Sequence, residues 1–188
     1  MKYHRLNKQL FIDNRERFKS MMEPNSLAIF HSNDIYPTSA DGTMPFKQAT
    51  DILWLSGVDQ EDSVLVISPD AKRNEDKELL FLTETNDLIA VWEGEKLTKK
   101  EAFEVSGIQT VYWLSEFDTI MKSLMSQTEN VYLLTQEHLR RNTPVQTREM
   151  RLNAELKTIY PNHNYKRSAP FLNKLRAVKT AVEIEVMK

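Results

Sequence analysis

Five short apolar runs constrain the fold of this chain more than any other feature: SLAIFHS at 26–32, SVLVIS at 63–68, ELLFLT at 78–83, QTVYW at 109–113 and NVYLL at 130–134. Each is rich in β-branched or aromatic residues and bounded by polar or turn-forming ones, the pattern of a buried strand. The second and third are separated only by PDAKRNEDK, which places them to pair as a hairpin. Helical spacing fills much of the rest. Leu6, Leu10, Phe11, Phe18, Met21 and Met22 recur mostly at helical intervals from His4 to Met22, and Pro24 closes that segment. Thr98 and Glu101 form a capping box for a helix to Ser106, with Gly107 placed to end it. Ser115 caps a helix through Met125 with Phe117, Ile120, Met121 and Leu124 inward, and Pro144 to Tyr160 reads as another. Strand and helix therefore alternate, which predicts an α/β domain with a mixed β-sheet of about five or six strands flanked by helices.

Composition excludes several function classes. A formal net charge of −2 gives no long-range field for nucleic acid. The basic pairs Lys72-Arg73 and Arg140-Arg141 are diluted by Glu75, Asp76 and Glu137, so they read as solvated surface. Without cysteine there are no disulfides, thiolate nucleophiles or cysteine-based zinc sites. The opening residues interrupt their apolar positions with charge too often for an export signal, and the apolar clusters at 52–55 and 64–67 are far short of the roughly 20 residues that span a bilayer. The expectation is a cytoplasmic protein with neither membrane nor nucleic-acid partners.

Catalytic signatures are sparse. No two of His4, His31, His138 and His163 have the spacing of a zinc-binding helix. His31 with Asp34 and Asp41 is the cluster of ligand-type side chains in a loop, but nothing in the sequence fixes its geometry, and turn-capping carboxylates beside a strand-end histidine explain it as well. No nucleophile elbow occurs, and Gly42, Gly57, Gly94 and Gly107 stand too far apart to build a phosphate-cradling turn. Trp54 and Trp113 read as core. Trp92, flanked by Glu93, Gly94 and Glu95, is placed for partial exposure and contact with a ligand or partner.

Two further segments bear on organisation. The polar loop carrying Asp34, Pro37, Asp41, Gly42 and Pro45 is long enough to be functional. At the other end, Phe171 to Lys179 reads as a connecting arm leading to a helix opened by Thr180 and Glu183 in a capping box, with Val182 and Val186 on one face. That helix has no stop signal, and the expectation is a chain cut short: a domain over 1–169, then a connector and the start of a missing domain over 170–188.

Several segments together resemble the amino-terminal domain of aminopeptidase P, in the creatinase and prolidase group. TSADGTMPFKQATDILWLSGV carries the resemblance at Ser39, Ala40, Asp41, Pro45, Phe46, Gln48, Asp51, Leu55 and Gly57. VWEGEKLTKKEAFEVSGI is similar at Trp92, Gly94, Ala102 and Gly107, and LRAVKTAVEIEVMK resembles the junction with that family's second domain. Lys47 departs from the pattern, standing where arginine is usual, and Leu53 and Trp54 replace a more aromatic pair.

The resemblance implies a non-catalytic domain of a metallopeptidase that removes an amino-terminal residue preceding proline. It implies two manganese ions held by two Asp, one His and two Glu in a pita-bread catalytic domain beginning near Thr180, and none of those ligands is assignable here. By the same resemblance the domain shapes substrate access and joins oligomer contacts of a homodimer or homotetramer. Trp92 would border a substrate site and Asp41 would hold a basic partner, and with none of the metal ligands assignable the 188 residues alone would be inactive. The alternatives are the corresponding domain of a prolidase or creatinase, or a peptide-binding module of pita-bread type without hydrolysis.

Overall fold

Four of the five apolar runs are buried on both faces, because they are inner strands of one sheet with helices on either side, while the run at 109–113 lies half-buried at its edge. The computed structural model describes all residues except 1–5, 87, 89, 92 and 93. The strands are β1 (Ser26–His31), β2 (Val64–Ile67), β3 (Glu78–Leu82), β4 (Thr110–Trp113), β5 (Asn130–Leu133) and β6 (Asn164–Arg167). The helices are α1 (Gln9–Lys19), α2 (Thr50–Ser56), α3 (Lys99–Ser106), α4 (Phe117–Met125), α5 (Arg148–Ile159), α6 (Ala169–Ala177) and α7 (Ala181–Met187). The sheet runs β4-β3-β2-β1-β5-β6. Only β2 is antiparallel to its neighbours, with Ile29 opposite Val66 on one side of β1 and opposite Leu133 on the other. The expected mixed sheet and the β2–β3 hairpin are present.

Strand alternation divides the core in two. Ala28, Phe30, Leu65, Ile67, Leu80 and Leu82 face α1, α2, α3 and α6 through Phe18, Ile52, Leu55, Ala102 and Leu172. Leu27, Ile29, Val64, Val66, Leu79 and Phe81 face α4 and α5 through Met121, Leu124, Met125 and Leu156. Trp54 and Trp113 are half-buried at the margin of the first cluster rather than inside it.

One buried arginine organises the first face. Arg15 of α1 is fully buried, and its Nη1 donates to the carbonyls of Leu55 at 2.8 Å and Ser106 at 3.0 Å. Those carbonyls are in the last turns of α2 and α3, where backbone acceptors lack helical partners and the dipole favours a cation. The two ends are built alike. Ser56 and Ser106 each donate a hydroxyl to the carbonyl four residues back and accept the amide two residues on. Gly57 and Gly107 follow at φ of +70° and +75° as left-handed caps. The sequence echo of LSGV and VSGI thus becomes a repeated helix terminus resting on one turn of α1, and Glu78 meets the Arg15 charge at 2.9 Å.

Four local expectations require correction. Thr50 to Ser56 is helical, although only an apolar cluster was legible there; with seven residues, it has too few turns to display a period. Pro161 to Ala169 has no apolar run to mark a strand, yet 164–167 form the parallel edge strand β6, whose Lys166 and Arg167 pair with Glu23 and Glu137 and keep that edge charged. The segment read as a connecting arm is helical over Ala169–Ala177, and Leu172 is buried in the first core cluster. The residues from Leu114 to Glu116 form a 3-10 turn, so α4 starts at Phe117 rather than at a Ser115 cap.

Candidate functional site

The sheet changes direction between β1 and β5. From β1 the chain passes leftward to β2, and from β5 it passes rightward to β6, while β1 and β5 run parallel. In such sheets a crevice opens beyond the carboxyl ends of the two strands, because the following connections diverge. Here a cleft of about 270 Å³ occupies that position, lined by His31, Asp34, Gln48, Arg141, Arg148 and Glu149 among others.

Its charged walls are locked by ion pairs. Asp34 accepts the Arg148 amide at 2.7 Å and also pairs with Arg151, so a loop carboxylate caps the start of α5. The Arg148 side chain turns to Asp62, and Arg141 pairs with Glu149 at 2.6 Å. Glu149 also accepts the Gln136 amide at 2.9 Å. Burial pushes the His31 pKa down, and nearby Arg148 adds to that, against the Ser32 carbonyl, Glu149 and Asp34. Reading Arg140-Arg141 as a solvated pair missed this: Arg141 belongs to the cleft, and Glu137 serves Arg167 instead. A polar stretch directly after an apolar strand run was the available signal.

The predicted site residues fall elsewhere. Asp41 is exposed at the tip of a turn closed by the Pro37–Thr43 bridge, with Thr38 donating to the Gly42 carbonyl at 2.9 Å, and it does not line the cleft. Trp92 lies outside the described residues. Gln48 anchors the base of the Asp41 loop: its Nε2 is 3.0 Å from the Val58 carbonyl and 2.8 Å from that of Gln60, and its Oε1 accepts the Ala49 amide. His31, Asp34 and Asp41 are not assembled as ligands, and among the described residues no three His, Asp or Glu side chains are placed to hold a metal ion. Among those residues, too, no helix is long and apolar enough to cross a membrane.

A second feature is the attachment of the last two helices. Arg176 of α6 pairs with Asp51 of α2, and Arg17 donates to the Leu175 carbonyl at 2.9 Å. Burial raises the pKa of Asp51, and Arg176 opposes that rise. Beyond α6, the capping box expected at Thr180 and Glu183 is present. Val182, Ile184 and Val186 of α7 are nevertheless about half exposed, at 48%, 47% and 50%.

Residues 11–132 match the family model described as aminopeptidase P, N-terminal domain. The chain belongs to that family. The aminopeptidase P match takes in β1, the Asp41 loop and the Gly57 and Gly107 helix ends, but not Arg141, Arg148 or Glu149 across the cleft. A Haemophilus influenzae protein named Xaa-Pro aminopeptidase is 23% identical over 184 residues, which is 98% of this chain and 40% of the relative. An aminopeptidase P structure from Bacillus anthracis, described as putative, superposes with a TM-score of 0.85 at 23% identity, over 97% of this chain and 43% of that one. A zinc-substituted Escherichia coli aminopeptidase P in complex with product superposes with a TM-score of 0.76 at 22% identity, over 97% and 42%. The chain therefore has the aminopeptidase P N-terminal fold and spans well under half the length of these relatives.

Proposed function

We propose that this chain is the non-catalytic amino-terminal domain of a metal-dependent Xaa-Pro aminopeptidase, an enzyme that hydrolyses the bond between an amino-terminal residue and proline. One observation carries the proposal: alignment along 98% of this chain with only 40% of a relative named Xaa-Pro aminopeptidase. In this reading residues 1–169 are the domain, and 170–188 lead from it, by way of α6 packed on its first core cluster, into the first turns of a pita-bread catalytic domain. The half-exposed Val182 and Val186, four apart on one face of α7, support that division, since an apolar helix face is stabilised when another surface covers it.

The described residues do not fit a metal pair, so the two manganese ions of this reading would be bound by the catalytic domain. There they would polarise the scissile carbonyl and activate water. What this domain contributes is shape: Asp41 on its exposed turn and Trp92 border the substrate path, and the domain takes part in homodimer or homotetramer contacts. The substrates would be peptides with proline second, and the enzyme would act in the cytoplasm.

The test compares the full-length protein with residues 1–188. The full-length protein is expected to release the first residue of Xaa-Pro peptides when manganese is supplied and to stop when it is chelated, while the 188-residue chain shows no turnover. Metal-dependent cleavage by the 188-residue chain, or full-length protein that cleaves only dipeptides, would displace the proposal.

A further inference from the structure

The turn at 57–63, between α2 and β2, ties three segments of the domain together. At the root of the Asp41 loop, the buried Gln48 donates from Nε2 to the carbonyls of Val58 and Gln60. The Gln60 side chain, 5% exposed, accepts the Leu97 amide on Oε1 at 2.7 Å. Next to it Glu61 meets Lys96 at 3.8 Å, and Asp62 pairs with Arg148 at the start of α5. Two buried amides thus make a relay, since Gln48 bonds the Gln60 backbone and the Gln60 side chain bonds the Leu97 backbone. It runs from the loop that carries Asp41 to residues 94–97, which come shortly after Trp92 in the sequence.

Two observations set this relay apart from ordinary loop packing. Ala40 stands at a φ of +54° and Asp62 at +49°, left-handed conformations that are costly for residues with a Cβ. Such backbone persists where its surroundings over-determine it, and it collects at functional positions. Ala40 precedes Asp41 on the exposed turn, so strain sits at the loop tip and again in the turn that holds the loop's root. The second observation is the Gln60 Nε2, which is buried and has no hydrogen-bond partner among the described residues. A buried donor left so is destabilising, and an apolar side chain of similar length would avoid that cost. What glutamine supplies at this position is therefore its oxygen, the acceptor that holds Leu97.

We propose that Gln60 is a positioning residue: through Leu97 it fixes the segment after Trp92 against the root of the Asp41 loop, so that the two segments meet a peptide substrate in one fixed relation. The inference rests on the peptidase reading, in which Asp41 and Trp92 border the substrate path. Gln60 acts only through the segments it joins and touches no substrate. Loosening their relation removes contacts made equally to bound substrate and to the reacting complex, which raises KM and leaves kcat nearly unchanged.

The test uses Gln60→Met, which keeps the length of the side chain and removes the acceptor, and Gln60→Glu, which restores an acceptor. In the 188-residue chain, hydrogen exchange at the Leu97 amide is expected to be about tenfold faster in Gln60→Met and within about threefold of the unaltered rate in Gln60→Glu, with β1 to β3 protected alike in all three. In the full-length protein, KM for an Xaa-Pro peptide is expected to rise about fivefold in Gln60→Met with kcat changed less than about twofold, and to recover in Gln60→Glu. Gln60→Leu, which likewise lacks an acceptor, serves the same comparison if the methionine variant does not fold. Unchanged exchange at Leu97 would overturn the proposal, because packing of Leu97 on the first core cluster would then hold the segment instead. So would an unmoved KM, or a fall in kcat alone. Full-length protein that releases no residue from Xaa-Pro peptides would overturn the peptidase reading and this proposal together, whereas the exchange at Leu97 is read without substrate and fails only with the proposal itself.

Discussion

Trp54 Nε1 donates to the Glu183 carboxylate at 2.7 Å, joining α2 to α7. The other oxygen of Glu183 accepts the Thr180 amide at 2.8 Å, so a single side chain both caps α7 and anchors it. Burial pushes the Glu183 pKa up, but the bonds from Thr180 and Trp54, with nearby Arg17, outweigh it and leave the group below the ordinary glutamate range. A depressed carboxylate stabilises above its unfolded pKa and loses that contribution as pH falls through the folded one. Trp54→Phe keeps the ring contact and removes the donor. It is expected to speed hydrogen exchange across 181–187 while leaving β1 to β3 unchanged, with a global stability loss under about 1.5 kcal/mol. Unchanged exchange in α7 would mean that its apolar contacts hold it instead.

Arg15 should behave as a keystone. Replacement by Met fills similar volume but leaves the Leu55 and Ser106 carbonyls without their donor and Glu78 with Lys19 alone, at 2.9 Å. Breaking a buried charged pair costs about 3–5 kcal/mol, and urea denaturation of Arg15→Met should show a loss of that order with an unchanged slope. A loss below about 1 kcal/mol would show that the two helix ends are stabilised by their glycine caps alone.

Gly57 and Gly94 allow backbone strain to be separated from steric conflict. Both have positive φ, +70° and +82°, but a Cβ on Gly57 would meet the buried Phe11 ring at 2.3 Å, whereas one on Gly94 would meet nothing within 4 Å. Gly94→Ala should cost about 1–2 kcal/mol for the left-handed conformation. Gly57→Ala should cost on the order of 2 kcal/mol more, since the Phe11 ring must shift inside packed core. Thermal melts of the two variants side by side measure the difference; equal shifts would refute the steric component.

These contacts also show what was legible in the sequence. Strands such as SLAIFHS, buried on both faces, announce themselves by composition, and the Thr98 and Thr180 capping boxes announce helix starts by spacing. The strand at 164–167 was hidden because an edge strand needs charge more than apolar residues, and α6 because its burial rests chiefly on Leu172 and half-buried Phe171 and Leu175. The cleft was illegible for a different reason. His31 and Arg148 are 117 positions apart, and only the parallel pairing of β1 with β5 brings their elements to one end of the sheet. Asp41, singled out by resemblance, stands outside that cleft on an exposed turn.

The buried His31 should make stability depend on pH. Its folded pKa is lowered, chiefly by burial and then by Arg148, with the Ser32 carbonyl, Glu149 and Asp34 opposing. The unfolded histidine titrates near about 6.5, so between the folded value and that pH the unfolded chain binds the extra proton. Stability is therefore complete above the unfolded pKa and declines as pH falls below it, with a slope of up to about 1.4 kcal/mol per pH unit until the folded pKa is reached. His31→Phe should remove this slope between roughly pH 6.5 and 5.5. Urea midpoints at those two pH values, compared between the chain and the variant, isolate the contribution of His31. An identical pH slope in both would mean that the ring gains a proton without cost, with Asp34 or Glu149 leaving its arginine to meet the imidazolium.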